Sequence, residues 1–169
     1  MSDVLEQWNS TSAEAAEAAV LPCCGSRAWA RGLAALRPLD AERLFAASDA
    51  VWWSLSESDW QEAFDSHPRI GQAHAKAATA ESLAWSGGEQ RQVDSAAETV
   101  KAELAAANRE YEEKFGRIFI VCATGKSAET MLELLRNRLR NEAATELREA
   151  AEQQRQITRL RLRKWLSLD

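Results

Sequence analysis

Ser127-Ala-Glu-Thr-Met-Leu-Glu-Leu-Leu-Arg-Asn-Arg-Leu139 is the stretch that decides the fold class. Ala128, Met131, Leu132, Leu135 and Leu139 recur at three- and four-residue steps, which puts them on one face of an α-helix. Ser127 supplies a side-chain oxygen to cap its first turn. The same period continues downstream. Leu147, Ala150, Ala151, Ile157 and Leu160 describe a last helix from about Glu142 to Trp165. Upstream, Phe119-Ile-Val-Cys-Ala123 is the one run with strand propensity. It has no partner run to pair with, so it supports no sheet.

Further outward the chain reads as more helices. Glu89 opens a long polar helix to about Lys114 after a break at Gly87-Gly88, and Phe115-Gly116 ends it. Residues 72–86 are small and polar and read as irregular or weakly helical. Ser66-His-Pro-Arg-Ile-Gly71 follows a short amphipathic piece, Trp60 to Phe64, and Pro68 disfavours helix at His67. Pro38-Leu-Asp40 starts a helix carrying Leu44, Ala47 and Val51 on one face. Thr11-Ser-Ala-Glu14 reads as a capping box for a helix to about Val20. Leu21-Pro-Cys-Cys-Gly-Ser reads as a turn whose Ser26 caps the next helix. No repeat, low-complexity tract or long linker divides the chain. The expectation is an all-α, single-domain bundle of six to eight helices spanning residues 1–169.

Composition agrees. Seven Gly and three Pro in 169 residues are too few for the many turns of an all-β protein. A net charge of -5 disfavours a generic nucleic-acid binder, despite the basic run Arg159 to Lys164. No apolar stretch approaches the length of a membrane span. The acidic opening Met1-Ser-Asp-Val-Leu-Glu lacks a signal-peptide apolar region, and the Ser-Leu-Asp end carries no peroxisomal address. Three cysteines, two of them adjacent, make neither a disulfide framework nor a zinc spacing. A cytoplasmic location is the expectation.

Few residues offer chemistry. Gly125-Lys126-Ser127 looks like the end of a phosphate loop, but Ile120 stands where that motif needs glycine, so it reads as a helix start with a solvated Lys126. His67 and His74 are the only histidines, at no metal-binding spacing. His67, locked by Pro68, is either structural or a held acid–base group. Ser86-Gly-Gly-Glu89-Gln90 reads either as a simple helix cap or as a carboxylate and an amide presented at a helix N-terminus. Arg161 borders the apolar stripe of the last helix. Its head either reaches water or turns inward to grip a planar carboxylate or urea-like group. The seven tryptophans read as core or interface.

Four segments, taken together, resemble one known family. Ser66-His-Pro-Arg-Ile-Gly71, Ser86-x-x-Glu89-Gln90, Phe115-Gly-x-x-Phe119-Ile-Val-Cys-Ala-Thr-Gly-Lys-Ser127 and Ile157-Thr-x-x-Arg161-Leu look like OHCU decarboxylase, which forms (S)-allantoin from 2-oxo-4-hydroxy-4-carboxy-5-ureidoimidazoline in urate breakdown. Each piece alone is weak; four in order at the right separations are specific. The resemblance implies an all-helical fold, a site without metal or other cofactor, and a homodimer. It also suggests a hydroxyisourate hydrolase as a metabolic neighbour. By motif, His67 matches the catalytic histidine, and Glu89 is its partner in proton transfer. Pro68 matches the residue packing on the ligand ring. Ser86 and Gln90 match polar groups that hold the substrate. Phe119, Ile120, Val121 and Ala123 match the backbone edge that reads ureido and ring groups, and Arg161 the substrate-binding arginine. Many relatives have Asp-Leu or Asp-Ile where this chain has Arg69-Ile70. Two other readings remain open from sequence: a non-catalytic helical interaction module, and a lyase or hydrolase for another ureido compound.

Overall fold

The computed structural model describes residues 3–70, 80–91 and 96–168. Among them are nine α-helices and no strand: α1 Asp3–Ser10, α2 Ala13–Cys24, α3 Arg27–Ala34, α4 Ala41–Ser54, α5 Glu57–Asp65, α6 Ala80–Glu89, α7 Glu98–Phe115, α8 Ala128–Arg138 and α9 Ala143–Trp165. The chain forms two compact units. One comprises residues 1–63 with 155–169, the other residues 64–154.

The caps explain where helices begin. Ser26 accepts from the Trp29 N–H, Asp40 from Arg43 and Ser127 from Thr130, each three residues on. At α2 the cap is Ser12, accepting from Ala15, one residue later than the Thr11 box. Ser56 and Asp59 exchange a reciprocal pair of side-chain to backbone hydrogen bonds at the start of α5.

Three expectations about boundaries fail for identifiable reasons. Leu21-Pro22-Cys23-Cys24 is not a turn; α2 continues through Pro22 to Cys24. Val20, Cys23 and Cys24 are wholly buried, so packing outweighs the backbone bond lost to proline. The helix stops at Gly25, whose φ of 88° needs a residue without a Cβ. Gly87-Gly88 is not a break; both glycines lie within α6. Two glycines cost about 2 kcal/mol of helix propensity. The buried residues Ser82, Ser86 and Gln90, spaced one turn apart, anchor the opposite face. Glu89 therefore ends α6 rather than opening the long helix, which begins at Glu98. Of the segment that reads as irregular or weakly helical, residues 80–86 are helical, while 72–79, with His74, lie outside the described residues.

In the first unit the core is rich in tryptophan. Trp8, Trp29, Trp52 and Trp60 are buried, and the indole N–H groups of Trp8, Trp29 and Trp60 are satisfied. Trp8 donates to the Ala16 carbonyl, Trp29 to Ser48 and Trp60 to the Trp52 carbonyl. In the second unit α7 and α8 enclose a core of Leu104, Ala107, Tyr111, Met131, Leu132 and Leu135. Phe119, Val121 and Ala123 join that core from the connector before α8. The run with strand propensity is thus a buried connector without regular secondary structure.

A buried backbone outside a helix must place its polar groups. The Ile120 carbonyl accepts from Arg138 Nη1 at 2.5 Å. Arg138 Nε in turn donates to Glu146 Oε1 at 2.8 Å, and its Nη2 pairs with the same oxygen. Tyr111 Oη donates to Glu146 Oε1 at 2.6 Å, and Asn141 Nδ2 donates to Glu146 Oε2 at 2.9 Å. Burial, with the Glu146 carboxylate beside it, pushes the Tyr111 phenol far above its ordinary range. Arg138 also lies over the Phe119 ring, 4.5 Å from its centroid. The network ties α7, α8, α9 and the connector at one point.

Candidate active site

Helix α5 ends at Asp65, and the chain turns so that the His67 N–H donates to the Phe64 carbonyl at 3.2 Å. Phe64, Ser66 and Pro68 are buried, while His67 is half-buried. Arg69 reaches α7 and forms a two-pronged ion pair with Glu112, Nε to Oε2 at 2.9 Å and Nη2 to Oε1 at 2.7 Å. Ile70 packs against the core of the second unit. The His67 backbone is therefore held on both sides. Its ring is held as well: Nε2 stands 2.6 Å from Gln154 Oε1.

Ser86, Glu89 and Gln90 occupy the last turn of α6 and the residue after it. Ser86 and Gln90 are buried four residues apart on one face; Glu89 is half-buried. Glu89 closes α6 rather than opening the long helix, and residues 92–95, which follow, lie outside the described residues. What the helix does provide is a fixed spacing of hydroxyl, carboxylate and amide over one turn.

Phe119, Ile120, Val121, Cys122 and Ala123 are all buried. Gln153 Oε1 accepts from the Cys122 N–H at 2.9 Å, and Gln153 Nε2 donates to Glu149 at 3.0 Å. Lys126, expected to be solvated, donates to the Cys122 carbonyl at 2.6 Å. Gly125, at φ 77°, makes the turn that brings it back. The edge is thus pinned at Ile120 and Cys122.

His67, Pro68, Ser86, Glu89, Gln90 and residues 119–123 belong to the second unit; Arg161 belongs to the first. Arg161 does not reach water. It is wholly buried, and Nη1 donates to the Pro22 carbonyl at 3.1 Å. That carbonyl is among the last of α2, where intrahelical partners run out. The buried Cys24 thiol is pushed up to about 12, chiefly by desolvation, with Arg161 nearby pulling the other way. A thiol so protonated at neutral pH is no nucleophile. Among the described residues no group of three His, Cys, Asp or Glu side chains forms a metal-binding cluster, and no helix is long and apolar enough to cross a membrane.

Sequence reasoning missed Gln153, Gln154, Arg138 and Glu146. The buried line of α9 runs through Glu146, Ala150, Ala151, Gln154, Ile157, Thr158 and Arg161. Leu147 and Leu160, which the apolar period assigns to it, are only half-buried. A signal existed: Glu146, Gln154 and Arg161 keep helical step with Ala150 and Ile157. Polar residues in step with an apolar stripe mark buried polar work.

A model of the OHCU decarboxylase family matches residues 9–163. A curated Arabidopsis thaliana protein, the uric acid degradation bifunctional protein TTL, is 35% identical over 150 residues. The match covers 86% of this chain but only 45% of that relative. A crystal structure of OHCU decarboxylase with (S)-allantoin superposes with a TM-score of 0.77 at 31% identity, covering 93% of this chain and 99% of that one. A crystal structure of (S)-allantoin synthase shares the fold, with a TM-score of 0.71 at 17% identity over 96% of this chain and 53% of that one.

Proposed function

This chain belongs to the OHCU decarboxylase family, a family of carboxy-lyases, and from that premise we propose that it converts 2-oxo-4-hydroxy-4-carboxy-5-ureidoimidazoline to (S)-allantoin and CO2. The observation that carries the proposal is the match over residues 9–163, which takes in every residue assigned a role below. The held imidazole of His67, with its backbone and ring both fixed, is the geometric support.

The reaction asks for placement and protons. The substrate bears a carboxylate and a hydroxyl on one ring carbon, with a C=N beside it. When the C–CO2 bond breaks, its electron pair forms a carbon–carbon double bond. The C=N pair moves onto nitrogen, which takes up a proton. His67, starting neutral, then accepts the hydroxyl proton as the carbonyl forms, and the neighbouring carbon gains one hydrogen. Delivery from Glu89 to a single face gives the (S) product. The substrate thus supplies its own electron sink, and the proposal assigns no role to a metal or organic cofactor.

Binding falls to the remaining residues. Pro68 packs on the ring, Ser86 and Gln90 hold polar groups, and the edge Phe119, Ile120, Val121 and Ala123 reads the ureido and ring amides. Arg161 presents a planar guanidinium oriented in advance by Pro22, suited to a carboxylate or urea group. Such binding would hold the breaking bond perpendicular to the ring, so that its electron pair overlaps the C=N. A homodimer, a neighbouring hydroxyisourate hydrolase and a cytoplasmic setting complete the proposal.

The test oxidises urate and hydrolyses the hydroxyisourate in a cuvette, adds the protein and follows circular dichroism at an allantoin-sensitive wavelength. A rapid (S)-allantoin signal, lost in His67→Asn, is the expected result. A signal no faster than the spontaneous racemic background refutes the decarboxylase reading and favours another ureido compound or a binding role. Near-normal turnover by His67→Asn refutes the role of His67.

A further inference from the structure

We infer that Gln154 is a positioning residue for His67: its amide oxygen holds the imidazole in the Nε2–H tautomer, which makes Nδ1 the proton-accepting atom of the neutral ring. The inference rests on the reading of His67 as the catalytic histidine.

The geometry starts with Gln154 itself. It is wholly buried in the middle of α9, in step with Ala150 and Thr158. A glutamine at such a position is costly unless its amide is satisfied. Its Oε1 lies 2.6 Å from His67 Nε2. An amide oxygen only accepts, so the proton of that contact resides on Nε2. The neutral ring then carries its lone pair on Nδ1. A carboxylate at position 154 would do something different, because it would stabilise the imidazolium. A neutral amide fixes orientation and tautomer without adding charge. That suits a histidine that starts neutral.

The adjacent residue has a parallel task. Gln153 Oε1 accepts from the Cys122 N–H while its Nε2 is committed to Glu149. Consecutive residues of a helix point about 100° apart. One turn of α9 therefore holds two things at once: the tip of the candidate histidine and the centre of the backbone edge. With the His67 N–H on Phe64 and Arg69 fastened to Glu112, the ring is fixed at its tip and the chain at its root.

The test is nitrogen-15 NMR of histidine-labelled full-length protein without substrate, read beside turnover. The chain has two histidines, so His67→Asn assigns the signals. The expected neutral-state spectrum of His67 has Nε2 protonated and Nδ1 unprotonated. Gln154→Glu is expected to move the His67 titration to higher pH and to shift the acidic limb of the kcat profile with it. Gln154→Leu removes the acceptor; the expected result is a mixture of tautomers and a kcat about tenfold to a hundredfold lower, with KM changed far less. A His67 neutral state protonated on Nδ1 overturns the inference. So does an unchanged ring spectrum in both variants, since Gln154→Glu retains an acceptor and polarity even where Gln154→Leu fails to fold. The ring spectra need no turnover. If they behave as expected while His67→Asn stays active, the positioning stands and the catalytic role of His67 falls.

Discussion

Replacing Arg138 with Met tests the network that holds the Ile120 edge. The pair it breaks is deeply buried, with side-chain exposures of 8% for Arg138 and 0% for Glu146. Removing one partner of such a pair costs about 3–5 kcal/mol, because a carboxylate is left without its counter-charge. The Ile120 carbonyl also loses its donor, worth about 1 kcal/mol or more. Loss of the guanidinium from the Phe119 face adds about 1 kcal/mol. Tyr111 and Asn141 still donate to Glu146, and the Met side chain refills most of the volume, so the terms do not simply add. The net expectation is a loss of about 4 kcal/mol, a large part of an ordinary folding free energy of about 5–15 kcal/mol. Urea unfolding followed by far-ultraviolet circular dichroism reads it. At a slope of about 2 kcal/mol per molar urea, the midpoint falls by about 2 M. Adding Glu146→Gln removes the stranded charge and is expected to restore about half of the loss. A single variant whose midpoint stays within about 0.5 M of wild type, or a double variant less stable than the single, refutes the reasoning.

Three other outcomes are expected. The Cys24 thiol is raised from 9.0 to about 12, so its contribution to stability is complete below pH 9 and is lost as pH rises towards 12. Tyr111 has the same sign, so unfolding midpoints decline steeply above about pH 9, and Cys24→Ala flattens the decline; an unchanged slope in that variant contradicts the assignment. Gly32→Ala places a Cβ 2.8 Å from Val51 Cγ1 on α4. The overpacking cost of about 1–3 kcal/mol outweighs the gain in helix propensity of about 1 kcal/mol. The variant is therefore destabilised, Val51→Ala relieves it, and a thermal midpoint above wild type contradicts the close approach. Gln153→Ala orphans the Cys122 N–H and costs about 1–3 kcal/mol. If the edge reads substrate, KM rises more than kcat falls, and a pure kcat effect argues against that role.

Local chemistry carried much of the fold. Ser26, Asp40 and Ser127 cap helices as their side chains require, and the α8 stripe of Ala128, Met131, Leu132 and Leu135 is buried as its period demands. The failures share a cause. Pro22 and the Gly87-Gly88 pair are helix breakers locally, yet both sit inside helices because buried neighbours over-rule a cost of about 1–3 kcal/mol per residue. For that reason Glu89 closes α6 instead of opening the long helix, which begins at Glu98.

The candidate site divides in the same way. Spacing and order of residues single out His67, the Ser86 to Gln90 group, the 119–123 run and Arg161, because motifs are one-dimensional. The full burial of Arg161 against Pro22 excludes the reading in which its head reaches water. That Gln154 meets His67 across 87 positions, and Arg138 meets Ile120 across 18, is written in no local pattern. A glutamine or glutamate on a helix reads as surface until a partner is known, since only a partner makes burying it tolerable. Sequence alone determined the helical class and nominated the candidate residues. The tertiary structure alone decided which buried amides and ion pairs hold them, because hydrogen-bond satisfaction is a property of three-dimensional neighbours.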